Sequence, residues 1–168
     1  MMTDDDLRRA LAATTFIALD VDGTLTDGRI TYTADGIEIK QFDVKDGLGI
    51  ARARMKGIRF AFISGRPSPV TLRRAEELGI DKVAMGAENK DAVLARLAGE
   101  LGVELSRTLF VGDDIVDLPA MEAAGLGVAV ADAHDTVIAA ADWVTSRPGG
   151  FGAVREVIDR LFDAKGWK

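Results

Sequence analysis

Phe16-Ile17-Ala18-Leu19-Asp20-Val21-Asp22-Gly23-Thr24-Leu25-Thr26-Asp27-Gly28 is the stretch from which the rest of the chain can be interpreted. Its apolar start, broken by Gly23, predicts a buried parallel strand that enters a loop at its carboxyl end. Because strand side chains repeat with a period of two, Asp20 and Asp22 are expected on the same side of the strand tip. Two carboxylates at one mouth repel each other unless a cation lies between them or one holds a proton. The pair therefore indicates either a functional site or a solvated strand end with an Asx turn.

Composition and charge exclude several classes of protein. The chain has 168 residues, of which 48% are hydrophobic and 29% charged, as in a globular protein with a sizeable core. Its net charge of −6 disfavours a nucleic-acid or anionic-membrane surface. It has no cysteine for a disulfide or a thiol nucleophile, and Met1 to Arg9 is too acidic for a signal peptide. No apolar run reaches the roughly 20 residues that cross a bilayer, so the cytoplasm is the expected location, with no nucleic acid and no membrane as partner.

Apolar runs alternate with helical patterns along the whole chain. Strands are predicted over residues 16–20, 58–63, 81–85, 108–111, 127–130 and 143–145. The predicted helices cover 4–13, 46–56 with Asp46 as N-cap, a segment opened by Pro67 and Pro69 that ends at 78, 90–101, a segment ending at 124, a short one opened by 131–134, and 153–163. This alternation predicts an α/β fold, an open parallel sheet with helices on both faces, in one domain over residues 1–168.

Residues 29–42 break that alternation. Two short stretches alternate polar and apolar residues on either side of Asp35-Gly36, which supplies the positive φ of a hairpin turn. A hairpin inserted between a buried strand and the next helix must stand outside the main sheet. Unless another surface covers it, such a hairpin would expose four large apolar side chains. They are those of Ile30, Tyr32, Ile37 and Ile39. We therefore predict an oligomer, in which a neighbouring subunit provides the cover.

Chemically useful side chains recur at the predicted strand ends, where ligands bind in open parallel sheets. Asp20 is the candidate nucleophile, because a carboxylate can attack phosphorus to give an aspartyl-phosphate. Asp22 is the candidate for protonating the leaving oxygen and then drawing a proton from water. Asp20, Asp22 and Asp113 are the predicted Mg²⁺ ligands, with a backbone carbonyl of the first loop among the oxygens.

Further polar residues would support this chemistry. Ser64 and Lys90 offer a hydroxyl and an ammonium to the phosphoryl oxygens, where charge develops during transfer. Asp114 and Asp117 would lie behind them, with Asp117 holding Lys90 or the metal waters. Each residue also has an ordinary structural interpretation: Ser64-Gly65-Arg66 can be a turn, and Asp114 can simply cap a helix. His134, the sole histidine, is interpreted as a surface or capping residue.

Taken together, these motifs resemble a known superfamily. Asp20-Val21-Asp22-Gly23-Thr24, Ser64, Lys90 and Gly112-Asp113-Asp114-Ile115-Val116-Asp117 follow in order the four motifs of the haloacid dehalogenase-like phosphohydrolases. Within it, the chain is similar to the 3-deoxy-D-manno-octulosonate 8-phosphate (KDO 8-phosphate) phosphatases along nearly its whole length. The longer matches are Lys45-Asp46-Gly47-Leu48-Gly49-Ile50, Ala129-Val130-Ala131-Asp132-Ala133-His134 and Gly149-Gly150-Phe151-Gly152-Ala153-Val154-Arg155-Glu156.

The resemblance implies a capless subunit in a homotetramer whose hairpins close over the neighbour's site. It also implies Mg²⁺ as cofactor, a phosphorylated sugar acid as substrate, and a place in lipopolysaccharide biosynthesis. Arg66, Gly65 and Lys45 are the candidate substrate contacts, since a guanidinium can hold a carboxylate or phosphate through two parallel hydrogen bonds.

Some residues depart from the family pattern. Relatives usually have Val at Thr24, Arg at Lys45 and Tyr at Leu48, and the segment around Glu88 also differs. None of these positions is the nucleophile or a metal ligand, so the choice of sugar rather than the reaction is in question. A nine-carbon keto-sugar-acid phosphate or another phosphorylated metabolite is the alternative substrate. The alternatives of another class are a non-enzymatic phospho-acceptor module and an assembly partner that keeps the fold without turnover.

Overall fold

The computed structural model describes residues 2–168. Its strands are β1 Phe16–Leu19, β2 Thr31–Tyr32, β3 Glu38–Ile39, β4 Arg59–Ser64, β5 Lys82–Met85, β6 Thr108–Gly112, β7 Leu126–Ala129 and β8 Trp143–Val144. Its α-helices are α1 Asp4–Ala13, α2 Val44–Met55, α3 Pro69–Leu78, α4 Lys90–Leu101, α5 Leu118–Ala123, α6 Asp135–Ala140 and α7 Ala153–Lys165. Short 3₁₀ turns precede β6 and α5, at Leu105–Arg107 and Ile115–Asp117.

The main sheet has six parallel strands in the order β5-β4-β1-β6-β7-β8 within residues 2–168. In its centre, Ala18 of β1 is aligned with Ala61 of β4 on one side and with Phe110 of β6 on the other. The chain moves outward from β1 to β5 and then returns to the opposite side of β1 at β6. The strand order therefore reverses between β1 and β6, which is where open α/β sheets bind ligands.

This reversal also places helices on both faces of the sheet. Parallel crossovers are right-handed, so α2 and α3, which connect the outward steps from β1 to β5, lie on one face, whereas α4, which connects β5 to β6, and α5 lie on the other. Consistent with this arrangement, α7 contacts α1 and α2, whereas α4 contacts α5. The central strands are buried on both faces, and their large side chains fill the core, among them Phe16, Phe60, Phe62 and Phe110. The α/β prediction is confirmed.

The start of α2 differs from the prediction. The helix begins at Val44, and its N-cap is Asp43, whose carboxylate accepts a hydrogen bond from the Lys45 N–H at 2.7 Å. Asp46 lies within the first turn, almost fully buried, and accepts a hydrogen bond from the Arg155 N–H of α7 at 2.7 Å. The prediction of Asp46 as the cap was therefore wrong, because this carboxylate satisfies the N-terminus of a different helix.

The inserted hairpin is present as a separate two-stranded antiparallel sheet of β2 and β3. As expected, Ile30, Tyr32, Ile37 and Ile39 are exposed. Among residues 2–168, none of the helices combines the length and the apolar character that a bilayer crossing requires.

Candidate active site

A cavity of about 310 Å³ opens at the carboxyl end of the sheet, beside the point where the strand order reverses. Residues from the ends of β1, β4 and β6 and from the start of α4 meet there. The lining residues are Asp20, Asp22, Ser64, Gly65, Arg66, Ala87, Glu88, Lys90, Asp113, Asp114, Val116 and Asp117. The structure thus brings together every predicted site residue except Lys45.

Lys90 joins two of the carboxylates at the base of this cavity. Its ammonium donates to Oδ1 of Asp20 at 2.5 Å and to Oδ1 of Asp117 at 2.6 Å, and all three side chains are buried. Lys90 is the first residue of α4, where the helix dipole disfavours a cation. The two carboxylates outweigh that dipole, so the position of Lys90 follows from charge pairing across three elements.

Burial and crowding shift the titration of these groups. Burial, the largest effect, and the neighbouring charge of Asp117 raise the pKa of Asp20 well above its usual value, against the opposing effect of Lys90. Burial and Asp117 likewise raise the pKa of Asp113 to about 6. Burial alone would lower the pKa of Lys90, but Asp20 and Asp117 raise it overall. The site therefore holds more negative charge than Lys90 balances.

This excess of carboxylate suits a hard divalent cation. Oxygen atoms of Asp20, Asp113 and Asp117 lie within 4.8 Å of one another. Both carboxylate oxygens of Asp117 already accept hydrogen bonds. Its Oδ2 accepts from the backbone N–H groups of Asp113 and Asp114 at 3.0 and 3.1 Å, and its Oδ1 accepts from the Lys90 ammonium. Asp20 and Asp113 are thus the better placed ligands, with Asp117 holding the loop behind them. The residues fit a Mg²⁺ ion.

Gly23 allows Asp113 to come this close to the first loop. The glycine has φ of +106°, and a Cβ built on it would lie 2.1 Å from Oδ2 of Asp113. Gly149 packs behind it in turn, because a Cβ there would lie 1.6 Å from the Gly23 carbonyl oxygen. The loop at 149–150 therefore packs against the loop that follows β1, here called the catalytic loop. The Gly150 N–H also donates to the Thr24 carbonyl of that loop at 3.0 Å.

Asp22 is turned away from the three metal-site carboxylates. Its Oδ1 accepts from the Lys40 ammonium at 2.5 Å and lies 4.0 Å from the Arg66 guanidinium, and its Oδ2 accepts from the Ser64 hydroxyl at 3.5 Å. Its side chain therefore lies beside Ser64 and Arg66, which are predicted to contact the substrate, and its role as proton donor stays a prediction. Asp22 as a metal ligand stays a prediction.

Other predicted contacts are spread around the cavity and beyond it. Ser64 is buried, and its hydroxyl accepts from the Arg66 N–H at 3.1 Å, which fixes the turn after β4. Lys45 lies outside, in a separate groove of about 670 Å³ that Arg147 and Arg155 also line. The His134 side chain caps α6 by accepting from the Thr136 N–H at 3.2 Å, so it has the capping role expected of it.

Two charged residues of the hairpin, Lys40 and Glu38, contact the site but were not among the predicted site residues. Glu38 accepts from the Arg66 guanidinium at 3.1 Å and from the Ser68 hydroxyl at 2.5 Å, and Lys40 binds Asp22. Their spacing of two residues was the available signal, since it places both charges on one face of a strand. That spacing does not reveal what the face contacts.

Comparison with known proteins gives a consistent assignment. A family model described as haloacid dehalogenase-like hydrolase matches residues 86–158. The chain is 45% identical over 151 residues to the 3-deoxy-D-manno-octulosonate 8-phosphate phosphatase of Haemophilus influenzae, covering 90% of this chain and 84% of that protein. It is also 45% identical over 150 residues to the enzyme of the same name from Escherichia coli strain K12, covering 89% and 80%.

A solved structure extends the agreement to three dimensions. The crystal structure of the Moraxella catarrhalis 3-deoxy-D-manno-octulosonate 8-phosphate phosphatase, in complex with magnesium ion, phosphate ion and a KDO molecule, is 39% identical. It superposes with a TM-score of 0.95 and covers 98% of this chain and 94% of that one. By sequence, fold and site, this chain belongs to the 3-deoxy-D-manno-octulosonate 8-phosphate phosphatase family of the haloacid dehalogenase-like hydrolases.

Proposed function

We propose that the protein is a Mg²⁺-dependent phosphatase that converts 3-deoxy-D-manno-octulosonate 8-phosphate to 3-deoxy-D-manno-octulosonate and phosphate. The observation that carries this proposal is the group of buried Asp20 and Lys90 with half-buried Asp113 in a cavity that Asp22 and Arg66 also line. The substrate named for the family fits this arrangement. A sugar-acid phosphate carries an anion at each end, and the cavity holds two cationic side chains, Lys90 and Arg66.

In the first step, an oxygen of Asp20 attacks phosphorus and the bond from phosphorus to the sugar oxygen breaks. Asp22 gives a proton to that oxygen, so the sugar leaves as a neutral alcohol. Ser64 and Lys90 donate to the phosphoryl oxygens, where negative charge is spread in the transition state. Mg²⁺ held by Asp20 and Asp113 supplies positive charge that lets the two anions approach.

In the second step, water attacks the phosphorus of phospho-Asp20. Asp22, now ionised, takes a proton from that water, and the bond between Asp20 and phosphorus breaks to release phosphate. The carboxylate of Asp20 is thereby restored. Lys90 remains bound to Asp117 throughout, which keeps its ammonium at the same place in both steps.

The substrate assignment is tested by phosphate release from a panel of phosphate esters, with Mg²⁺ and with chelator. The panel holds 3-deoxy-D-manno-octulosonate 8-phosphate, its nine-carbon analogues and simple hexose phosphates. Fast, Mg²⁺-dependent release from the eight-carbon acid alone is expected. Release centred on a nine-carbon acid would replace the substrate and keep the mechanism. Silence across the panel with a stable phospho-Asp20 would instead support a phospho-acceptor module.

We further propose that the protein works as a homotetramer in the cytoplasm. The outward apolar side chains of the hairpin support association, since a large exposed apolar patch favours burial against a partner. Lys45 supports it too, because it lies outside its own subunit's cavity and would be available to a neighbour's. In such an assembly each site would draw substrate contacts from two subunits.

A further inference from the structure

We propose that Lys40 is a positioning residue for the reaction, which holds the Asp22 carboxyl group at the catalytic cavity and so makes the hairpin part of the active site. The inference rests on the proposed function, in which Asp22 moves protons in both steps. It adds a residue from outside the four sequence motifs and gives the hairpin a role within its own subunit.

The burial of Lys40 is the first argument. Lysine side chains are almost never fully buried unless they are paired, yet the Lys40 side chain is only 2% exposed, on a hairpin whose apolar residues face solvent. Its ammonium forms an ion pair with Asp22 at 2.5 Å. The hairpin therefore buries its charge and exposes its apolar groups, which is the reverse of what folding of an isolated hairpin would favour.

Strand alternation explains how this arrangement is built. Glu38 and Lys40 are two residues apart and share a face, whereas Ile37 and Ile39 take the opposite face. The charged face makes two separate contacts with the site, from Glu38 to the Arg66 guanidinium at 3.1 Å and from Lys40 to Asp22. These two contacts hold the hairpin against its own cavity.

The surroundings of Asp22 show why Lys40 matters most for its position. The other polar groups near its carboxylate are more distant, with the Arg66 guanidinium at 4.0 Å and the Ser64 hydroxyl at 3.5 Å. Asp22 lies in the loop after β1 rather than within the strand, and its side chain is 20% exposed. Without Lys40, the carboxyl group would have no short contact to hold it beside the leaving oxygen.

The experiment uses p-nitrophenyl phosphate and rapid mixing. Nitrophenolate leaves without needing a proton, so formation of phospho-Asp20 does not depend on Asp22, whereas attack by water does. In Lys40→Met we expect a fast initial burst of nitrophenol close to one per site, followed by steady turnover about 10²-fold slower than wild type. Lys40 as a merely structural residue would instead reduce the burst itself.

A double-mutant cycle tests whether Lys40 acts through Asp22. If it does, Lys40→Met should add almost nothing to the loss already caused by Asp22→Asn, since the two share one effect. Losses that multiply would overturn the proposal. Lys82→Met is the matched control, because it breaks an exposed ion pair with Glu100 and should leave both phases unchanged. If Lys40→Met unfolds at the assay temperature, Lys40→Gln takes its place in the cycle.

The panel of phosphate esters with Mg²⁺ and with chelator, run beside these variants, separates this inference from the proposed function. If the protein is no phosphatase, wild type itself shows no turnover of the sugar-acid phosphate and no Mg²⁺ dependence. If only the role of Lys40 is wrong, wild type and Asp22→Asn behave as proposed, while Lys40→Met matches wild type or loses its burst.

Discussion

At the scale of single residues, the ammonium of Lys90 balances part of the negative charge of the carboxylates in the catalytic cavity. Its ammonium lies between Asp20 and Asp117 at 2.5 and 2.6 Å, and burial together with Asp117 raises the pKa of Asp20. Nucleophilic attack needs an ionised Asp20, so Lys90 and a cation must offset that shift. The arrangement costs folding free energy and at the same time provides a desolvated nucleophile.

Asp20→Asn separates these two consequences. The amide has the same shape but no charge, so phosphate release should fall by at least about 10³-fold. In chelator, its midpoint of thermal unfolding should equal or exceed that of wild type, because one buried carboxylate is gone from beside Asp117. Calorimetry and a phosphate assay measure the two effects. Asp91→Asn, which removes an exposed carboxylate in the first turn of α4, should leave phosphate release unchanged, and a clear loss of thermal stability in Asp20→Asn would contradict the charge argument.

The residues within the four motifs could be predicted from the sequence, because strand ends and alternation fix where their side chains point. Asp20, Ser64, Lys90 and Asp113 accordingly meet in one cavity. Lys40 could not, because its role depends on the hairpin folding back onto the site. Lys45 was expected near the substrate, and it lies in a separate groove of the subunit. Local patterns fix the face on which a residue lies, and tertiary packing decides what that face meets.

At the scale of elements, Asp46 connects α2 to α7. Its Oδ1 accepts from the Arg155 N–H, its Oδ2 is buried without a hydrogen-bond partner within residues 2–168, and burial raises its pKa to about 6. Asp43 and Asp46 were both available as the N-cap of α2. The chain uses the first for α2 and the second for α7, a choice set by helix packing that a capping pattern cannot reveal.

Asp46 should make stability fall as pH rises. Its pKa is about 6 in the folded state, against a usual value of 3.8, so the folded protein holds a proton in that interval that the unfolded chain has lost. The free-energy cost of ionising this buried carboxyl is absent below the pKa of the unfolded state and complete above the pKa of the folded state. Between pH 4 and pH 7.5, wild type should lose about 2 to 3 kcal/mol of unfolding free energy relative to Asp46→Asn. Urea denaturation across that range measures the difference, and parallel curves for the two proteins would contradict it.

A second prediction at the scale of elements concerns the loop before α7. Gly149→Ala would force the Gly23 carbonyl to move, since the new Cβ would lie 1.6 Å from it. Displacing the catalytic loop by about 1 Å should lower phosphate release about 10²-fold. Gly99→Ala is the control, because nothing lies within 4 Å of its Cβ, and it should raise stability by about 0.5–1 kcal/mol within α4. Equal activity of the two variants would show that the loop does not support the site.

At the scale of the whole molecule, the topology of the sheet and the inserted hairpin both contribute to the site. The reversal of strand order between β1 and β6 creates the cavity, and the hairpin contacts two of its lining residues, Asp22 and Arg66. The charged face of the hairpin lies toward its own site, so the apolar face is left outward, with Ile37 60% exposed. A single subunit therefore satisfies the polar contacts of the hairpin and leaves its apolar surface without cover.

Association should provide that cover. We expect wild type to sediment as a tetramer at micromolar concentration and Ile37→Lys to sediment as smaller species, because the new charge would be buried at the interface. Met55→Lys is the matched control, since it changes an even more exposed apolar residue at the end of α2 and should leave the tetramer intact. Sedimentation velocity, run beside the phosphate assay, distinguishes the outcomes. A monomeric wild type would contradict the tetramer, whereas a monomeric Ile37→Lys that keeps full activity would show that each subunit's site is complete on its own.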